Sequence, residues 1–184
     1  MEKPLASSIF VDSDPKVYKQ FEGLNKIGGY LLGTHTLFTG IYQHFQDKSI
    51  CFSSIASSTF SDWLIDGNID HGCLNVGGTV ALSALDCAIS FSFRNIFVFG
   101  LDLAYAEDGT SHAKNSMYDG HRAQTGLIEI PGNWNKKVKT TKQFAHYVEI
   151  LNGYLTENIS RHGNNFYNVN KSGAQFKHLE LISP

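Results

Sequence analysis

The sequence predicts an α/β fold, a mostly parallel sheet with helices on both faces, in a single domain over residues 1–184. Three observations carry this. Strand-like and helix-like segments alternate along most of the chain. The run from Ile96 to Leu101 is uncharged and apolar rather than alternating, as suits a parallel strand covered on both faces. Several strands run into tips rich in Gly, Ser, Thr, His or Asp, the end at which such sheets bind ligands.

Taken in order, Ile9 to Asp12 reads as a short strand. Ser13 or Asp14 can cap the helix that follows, and Pro15 suits its first turn. Tyr30 to Gly33 reads as a second strand, Thr34-His35-Thr36 as its tip, and Leu37 to Phe45 as a short helix. A third strand over Ser49 to Ile55 runs into a Ser/Thr-rich tip and the apolar Trp63-Leu64-Ile65. "DGNIDHG" is a turn. After a short apolar approach and Gly77-Gly78, a helix of about four turns starts at Thr79; its apolar residues lie on more than one side, so it is buried on more than one side. The Ile96 strand follows. The stretch from about Ala106 to Lys139 is long, polar and without a clear period, the mark of a functional or mobile loop. A helix resumes near Thr140 with Phe144, Val148, Leu151 and Leu155 as its stripe, and "NFYNVN" is a last strand with "KSGAQF" at its tip.

The totals exclude several classes. Apolar residues make up 42% and the net charge is -2, ordinary for a soluble globular protein and offering no field for nucleic acid or an anionic membrane. No stretch approaches the length of a spanning helix, and Met1 to Pro4 lead into no signal-peptide core. Three cysteines without a CxxC pair read as reduced, buried thiols in a cytoplasmic protein, not as a disulfide framework or a zinc site.

Two constellations carry chemistry. Gly77-Gly78-Thr79 opens a helix, where bare backbone amides and the helix dipole favour a phosphate; the same residues would equally make a tight turn capped by Thr79. Neither GxGxxG nor a Walker sequence is present. The second is the end of the Ile96 strand, which brings Asp102, Tyr105, Glu107, Asp108, Ser111, His112 and Lys114 in quick succession. Asp102 could accept from a sugar hydroxyl, hold a loop amide, or meet Mg2+ through water. Tyr105 and His112 could donate to a phosphate oxygen, and His112 could move a proton near neutral pH. Alternatively, Asp108-Gly109 makes a turn and Asp102 caps local backbone. His121 and Arg122 stand in the long loop, and no HExxH, GxSxG, DxD or serine-triad spacing is visible.

The block "GGTVALSALDCAISFSFRNIFVFGLDLAYAEDGTSHAKN" resembles the core signature of the motility-associated factor family of flagellin glycosyltransferases, a domain shared with archaeal 6-hydroxymethylpterin diphosphokinases. The matching elements are Gly77 to Val80, Gly100 to Ala104 and Ser111 to Ala113. "IPGNWNKKVKTTKQFAHYVEILN" and "YNVNKSGAQFKHLELI" are similar to the family's later segments, with Ser172 in place of the first glycine of a Gly-Gly-Ala ending. The same block is similar to bacterial sialyltransferases that use CMP-sugars. The resemblance implies a Rossmann-like domain that transfers a nonulosonic sugar from a CMP-activated donor to a protein hydroxyl, with flagellin as the expected acceptor. It needs no cofactor, nucleic acid or membrane. It implies a nucleotide site at Gly77, Gly78, Thr79, Tyr105 and Asp102, and catalytic work by His112, Asp102 or His121. The family's opening "SxGPSL" loop has no counterpart, which is compatible with the C-terminal part of a larger family domain, a truncated product or a divergent member. Two alternatives stay open: a pterin pyrophosphokinase using ATP and Mg2+, with Asp102 and Asp108 near the metal, and a non-catalytic nucleotide-binding module.

Overall fold

The computed structural model describes residues 7–23, 29–45, 48–54, 59–69, 72–112 and 125–182. The chain forms two compact units, residues 1–86 and 87–184.

The first unit is built on a four-stranded parallel sheet of β1 (Ser7–Phe10), β2 (Tyr30–Thr34), β3 (Ser49–Ser54) and β4 (Gly72–Leu74), in that order. Every neighbouring pair is parallel, so all the carboxyl ends lie along one rim. Adjacent Leu31 and Leu32 point to opposite faces of β2 and are both buried, which is what coverage on both faces requires. Two short 3-10 helices, Pro15–Phe21 and Thr39–His44, stand where the sequence predicts helices. Asp14 caps the first by accepting from the Lys16 N–H at 2.9 Å. Both are too short to sustain an α-helix alone and are held by what they bury. That core is Val17, Phe21, Leu31, Leu37, Ile41 and Phe45, with Phe10, Tyr18, Phe38 and Tyr42 packed around it. Each such side chain contributes about 1.5–3 kcal/mol by leaving water. An α-helix, α1 (Thr59–Asp66), occupies the Trp63-Leu64-Ile65 stretch.

The helix expected from Thr79 is α2 (Val80–Ser90), and the division between the units falls within it. Leu82, Leu85 and Ile89 are buried, and so are the polar Ser83 and Asp86, so α2 is buried on more than one side as its sequence predicts.

The second unit holds a three-stranded parallel sheet, in the order β5 (Asn95–Val98), β8 (Asn165–Asn168) and β9 (Glu180–Leu181). Between β5 and β8 in sequence come an antiparallel hairpin, β6 (Ile128–Pro131) and β7 (Lys137–Thr140), and the long helix α3 (Lys142–His162). Thr141 caps α3 by accepting from the Phe144 N–H at 3.2 Å, and Gly163, with φ 64°, ends it. The expected stripe is present: Val148, Leu151 and Leu155 are buried.

Three expectations change. The polar stretch before Lys139 is not all loop, because β6 and β7 lie in its second half. The strand β5 is shorter than its apolar run and, among the described residues, lies at the edge of its three-stranded sheet, with Phe97 54% exposed and stacked on Tyr167 at 4.8 Å. None of the three cysteines is in a disulfide, but only Cys87 is buried; Cys51 and Cys73 are exposed on β3 and β4.

Candidate functional site

In the first unit the glycine turn leaves the carboxyl end of β4 and enters α2. Gly78 has φ 73°, a left-handed backbone that a side chain would strain. Thr79 is an N-cap: its carbonyl accepts from the Leu82 N–H at 3.1 Å and its hydroxyl is 3.4 Å from the Ala81 N–H. The approach to the turn is tied down from α2. The Asn75 N–H donates to the Asp86 carboxylate at 2.7 Å, and the Ser83 hydroxyl donates to the Asn75 carbonyl at 2.8 Å. Asp86 is 9% exposed, a buried carboxylate that accepts from the Asn75 backbone amide. The rim residue Thr34 adds a hydroxyl 3.1 Å from that of Thr36, and its carbonyl accepts from Tyr42. Burial pushes the Tyr42 phenol up to about 12, so it remains a donor at neutral pH.

In the second unit the chain leaving β5 is folded tightly. Gly100, at φ 71°, and Leu103, at φ 43°, flank Asp102; a left-handed leucine stores strain of the kind that collects at functional sites. Hydrogen bonds from neighbouring segments hold this strained stretch and the chain just beyond it. The Ala174 N–H donates to the Asp102 carbonyl at 2.7 Å, the Thr140 hydroxyl to the Leu103 carbonyl at 2.7 Å, and the Tyr105 N–H to the Lys139 carbonyl at 2.8 Å. Gly173, at φ 100°, lies against Asp102 so closely that an added Cβ would sit 2.7 Å from the Asp102 Cα.

The Asp102 side chain is half-buried, and among the described residues no donor reaches its carboxylate. Loss of water therefore raises its pKa with nothing to offset the effect. A carboxylate left in that condition beside a strained turn is a functional candidate on physical grounds.

Tyr105 stacks its ring on Phe144, with centroids 5.9 Å apart. Asp108 accepts from both the Thr110 N–H and its hydroxyl, so it shapes the 106–110 turn. His112 is exposed, with Nδ1 2.7 Å from the Ser111 hydroxyl. Lys114, His121 and Arg122 lie outside the described residues. The sequence-predicted residues thus fall on two tips: Gly77, Gly78 and Thr79 in the first unit, and Asp102, Tyr105 and His112 in the second.

Sequence reasoning missed a set of asparagines that tie Gly100 and the 172–173 segment next to Asp102. Asn133, in the β6–β7 connection, donates through its N–H to the Gly173 carbonyl at 3.0 Å and through Nδ2 to the Ser172 carbonyl at 2.7 Å. Asn168 donates to Asn133 Oδ1 at 3.4 Å and accepts from the Asn170 N–H at 3.0 Å. Asn170 Oδ1 in turn accepts from the Gly100 N–H at 2.6 Å. All three are buried. The "YNVNKSGA" segment carried the signal, but nothing in its spacing showed that it packs on the Asp102 turn.

A separate open cleft of about 310 Å³ lies at the β6–β7 turn, lined by residues 129–132, 135–137 and Gln175. It contains none of the predicted site residues.

Residues 3–108 match the family model for 6-hydroxymethylpterin diphosphokinase MptE-like proteins. The chain belongs to the MptE-like family. A solved structure similar to this MptE-like chain is that of the Maf glycosyltransferase from Magnetospirillum magneticum AMB-1, with a TM-score of 0.69, 17% identity and 96% of this chain covered. That likeness confirms the α/β fold. The MptE-like chain spans 26% of the length of that glycosyltransferase. No curated protein matches its sequence.

Proposed function

We propose that this MptE-like chain is a glycosyltransferase-type domain that moves a nonulosonic sugar from a CMP-activated donor to a protein hydroxyl, flagellin being the expected acceptor, in the cytoplasm. The likeness to the Maf glycosyltransferase over 96% of the chain carries the reading. Among the described residues no helix is long and apolar enough to cross a membrane.

In this reading the Gly77–Thr79 turn supplies amides and a helix terminus to a phosphate. The acceptor oxygen forms a bond to the anomeric carbon as the bond to the CMP phosphate breaks. The phosphate leaves with the electron pair, stabilised by Tyr105 and His112. Asp102 accepts from a sugar hydroxyl. The acceptor's proton goes to a base, for which His112 and His121 are the candidates. The transferase reading requires no cofactor.

The family model's description favours a second reading, a pyrophosphokinase using ATP and Mg2+. The carboxylates fit a metal only in part: Asp102 is unpartnered among the described residues, whereas Asp108 is engaged by Thr110. Asp102 would be the residue to hold the ion, which would neutralise phosphate charge.

Calorimetric titration with CMP, a CMP-sugar and ATP with and without Mg2+ separates the readings. Binding of CMP without metal is the expected result, and His112→Ala should weaken it. Metal-dependent ATP binding with no response to CMP would replace the transferase by the kinase. Silence to all three would leave a non-catalytic module.

A further inference from the structure

We propose that Asn170 is a ligand-binding residue, donating its side-chain N–H to an oxygen of a hydroxyl-bearing nucleotide ligand at the tip shared by β5 and β8. The inference rests on the nucleotide-binding reading above and adds to it a residue that reading does not contain.

Asn170 is 7% exposed, and its amide orientation is fixed: Oδ1 accepts from the Gly100 N–H at 2.6 Å, so Nδ2 is the group left over. Nδ2 is buried, and among the described residues it meets no acceptor. A buried amide donor without a partner is costly, so a fold that keeps one calls for a reason. The neighbours supply it. The backbone around Asn170 is tied by Asn168 and Asn133, which leaves the side chain little freedom to turn away. The segment after it packs on Asp102 through Gly173 and Ala174, and Asp102 offers an acceptor with no donor among the described residues. One tip thus holds an unspent donor and an unspent acceptor on two segments in contact. A ribose or sugar hydroxyl can accept from the first and donate to the second. Because Nδ2 is shielded, its partner is a group small enough to enter the tip, such as a single hydroxyl.

The test uses the full chain and three probes: CMP-N-acetylneuraminic acid, UDP-N-acetylglucosamine and ATP. Asn170→Asp keeps the acceptor for Gly100 and loses the donor; Asn170→Ala loses both. The aspartate adds a charge and the alanine does not, so a deficit common to the two reads the donor. Both variants are expected to bind the responsive probe about tenfold more weakly, or worse. The Asn170→Asp variant should melt within a few degrees of the parent, roughly what a surviving Gly100 bond allows. If either variant binds as the parent does, Nδ2 serves an enclosed water and the inference is overturned. A parent that binds UDP-sugar or ATP but not the CMP-sugar removes the CMP reading alone, and the variants then decide Asn170 on the probe that binds. A parent that binds none of the three overturns both.

Discussion

Asp102 sits between two left-handed backbone positions, with Gly173 against its α-carbon and no donor on its carboxylate among the described residues. Its raised pKa has a consequence for stability. The folded chain holds this proton more tightly than the unfolded chain, so the contribution of the group is greatest below the ordinary carboxylate pKa. It falls as pH rises and is fully lost above the folded pKa. Asp102→Asn should therefore melt close to the parent near pH 3 and progressively above it toward about pH 7. Thermal melts across that range check this, and a difference that stays flat with pH would refute it. Gly173→Ala combines a positive φ with a methyl 2.7 Å from Asp102 Cα, a contact no rotamer relieves. A loss of at least about 2 kcal/mol is expected in urea unfolding. A loss of only a few tenths of a kcal/mol would show that the two segments part easily.

Among the elements, the approach to the glycine turn owes its shape to α2 more than to its own residues. Asp86 and Ser83 hold Asn75, and the turn follows two residues later. Asp86→Ala leaves the half-buried Asn75 N–H without its carboxylate and should cost on the order of 1 kcal/mol; in the same titrations it should also weaken CMP binding. Stability lost with affinity unchanged would mean that the turn is shaped locally. Elements whose signals are local were legible in the sequence: Asp14 and Pro15 at a helix start, the 3.6-residue stripe of α3, the Gly-Gly turn. The α3 cap shows how local the cue can be, since Thr141 needs only the Phe144 amide. The hairpin was hidden by length: Ile128-Glu129-Ile130 and Val138-Lys139-Thr140 do alternate, but over stretches too short to stand out in a polar run. The exposure of β5 was not legible either, because an edge strand and a central strand can share one apolar sequence. At the site, the strand-end position of Asp102 could be read from its surroundings. The pairing of Asn170 with Gly100 joins residues 70 positions apart, and no local pattern reports such a contact.

At the scale of the whole molecule, two units share one chain, and the chain itself is a fraction of the length of its solved relative. The three thiols report on this body without labels. Cys51 and Cys73 should react with a thiol reagent in the native protein, while Cys87, buried in α2, should react only on opening. Three fast-reacting thiols, or one, would contradict the burial seen here.

The division has an optical corollary. The protein's two tryptophans fall one to each unit: Trp63 in α1 and Trp134 in the β6–β7 connection. Replacing either with phenylalanine leaves a single tryptophan, excited selectively over the tyrosines, inside a known half. Two such variants would let fluorescence follow each half through denaturation, and superposed or displaced curves would reveal whether the halves melt together or apart.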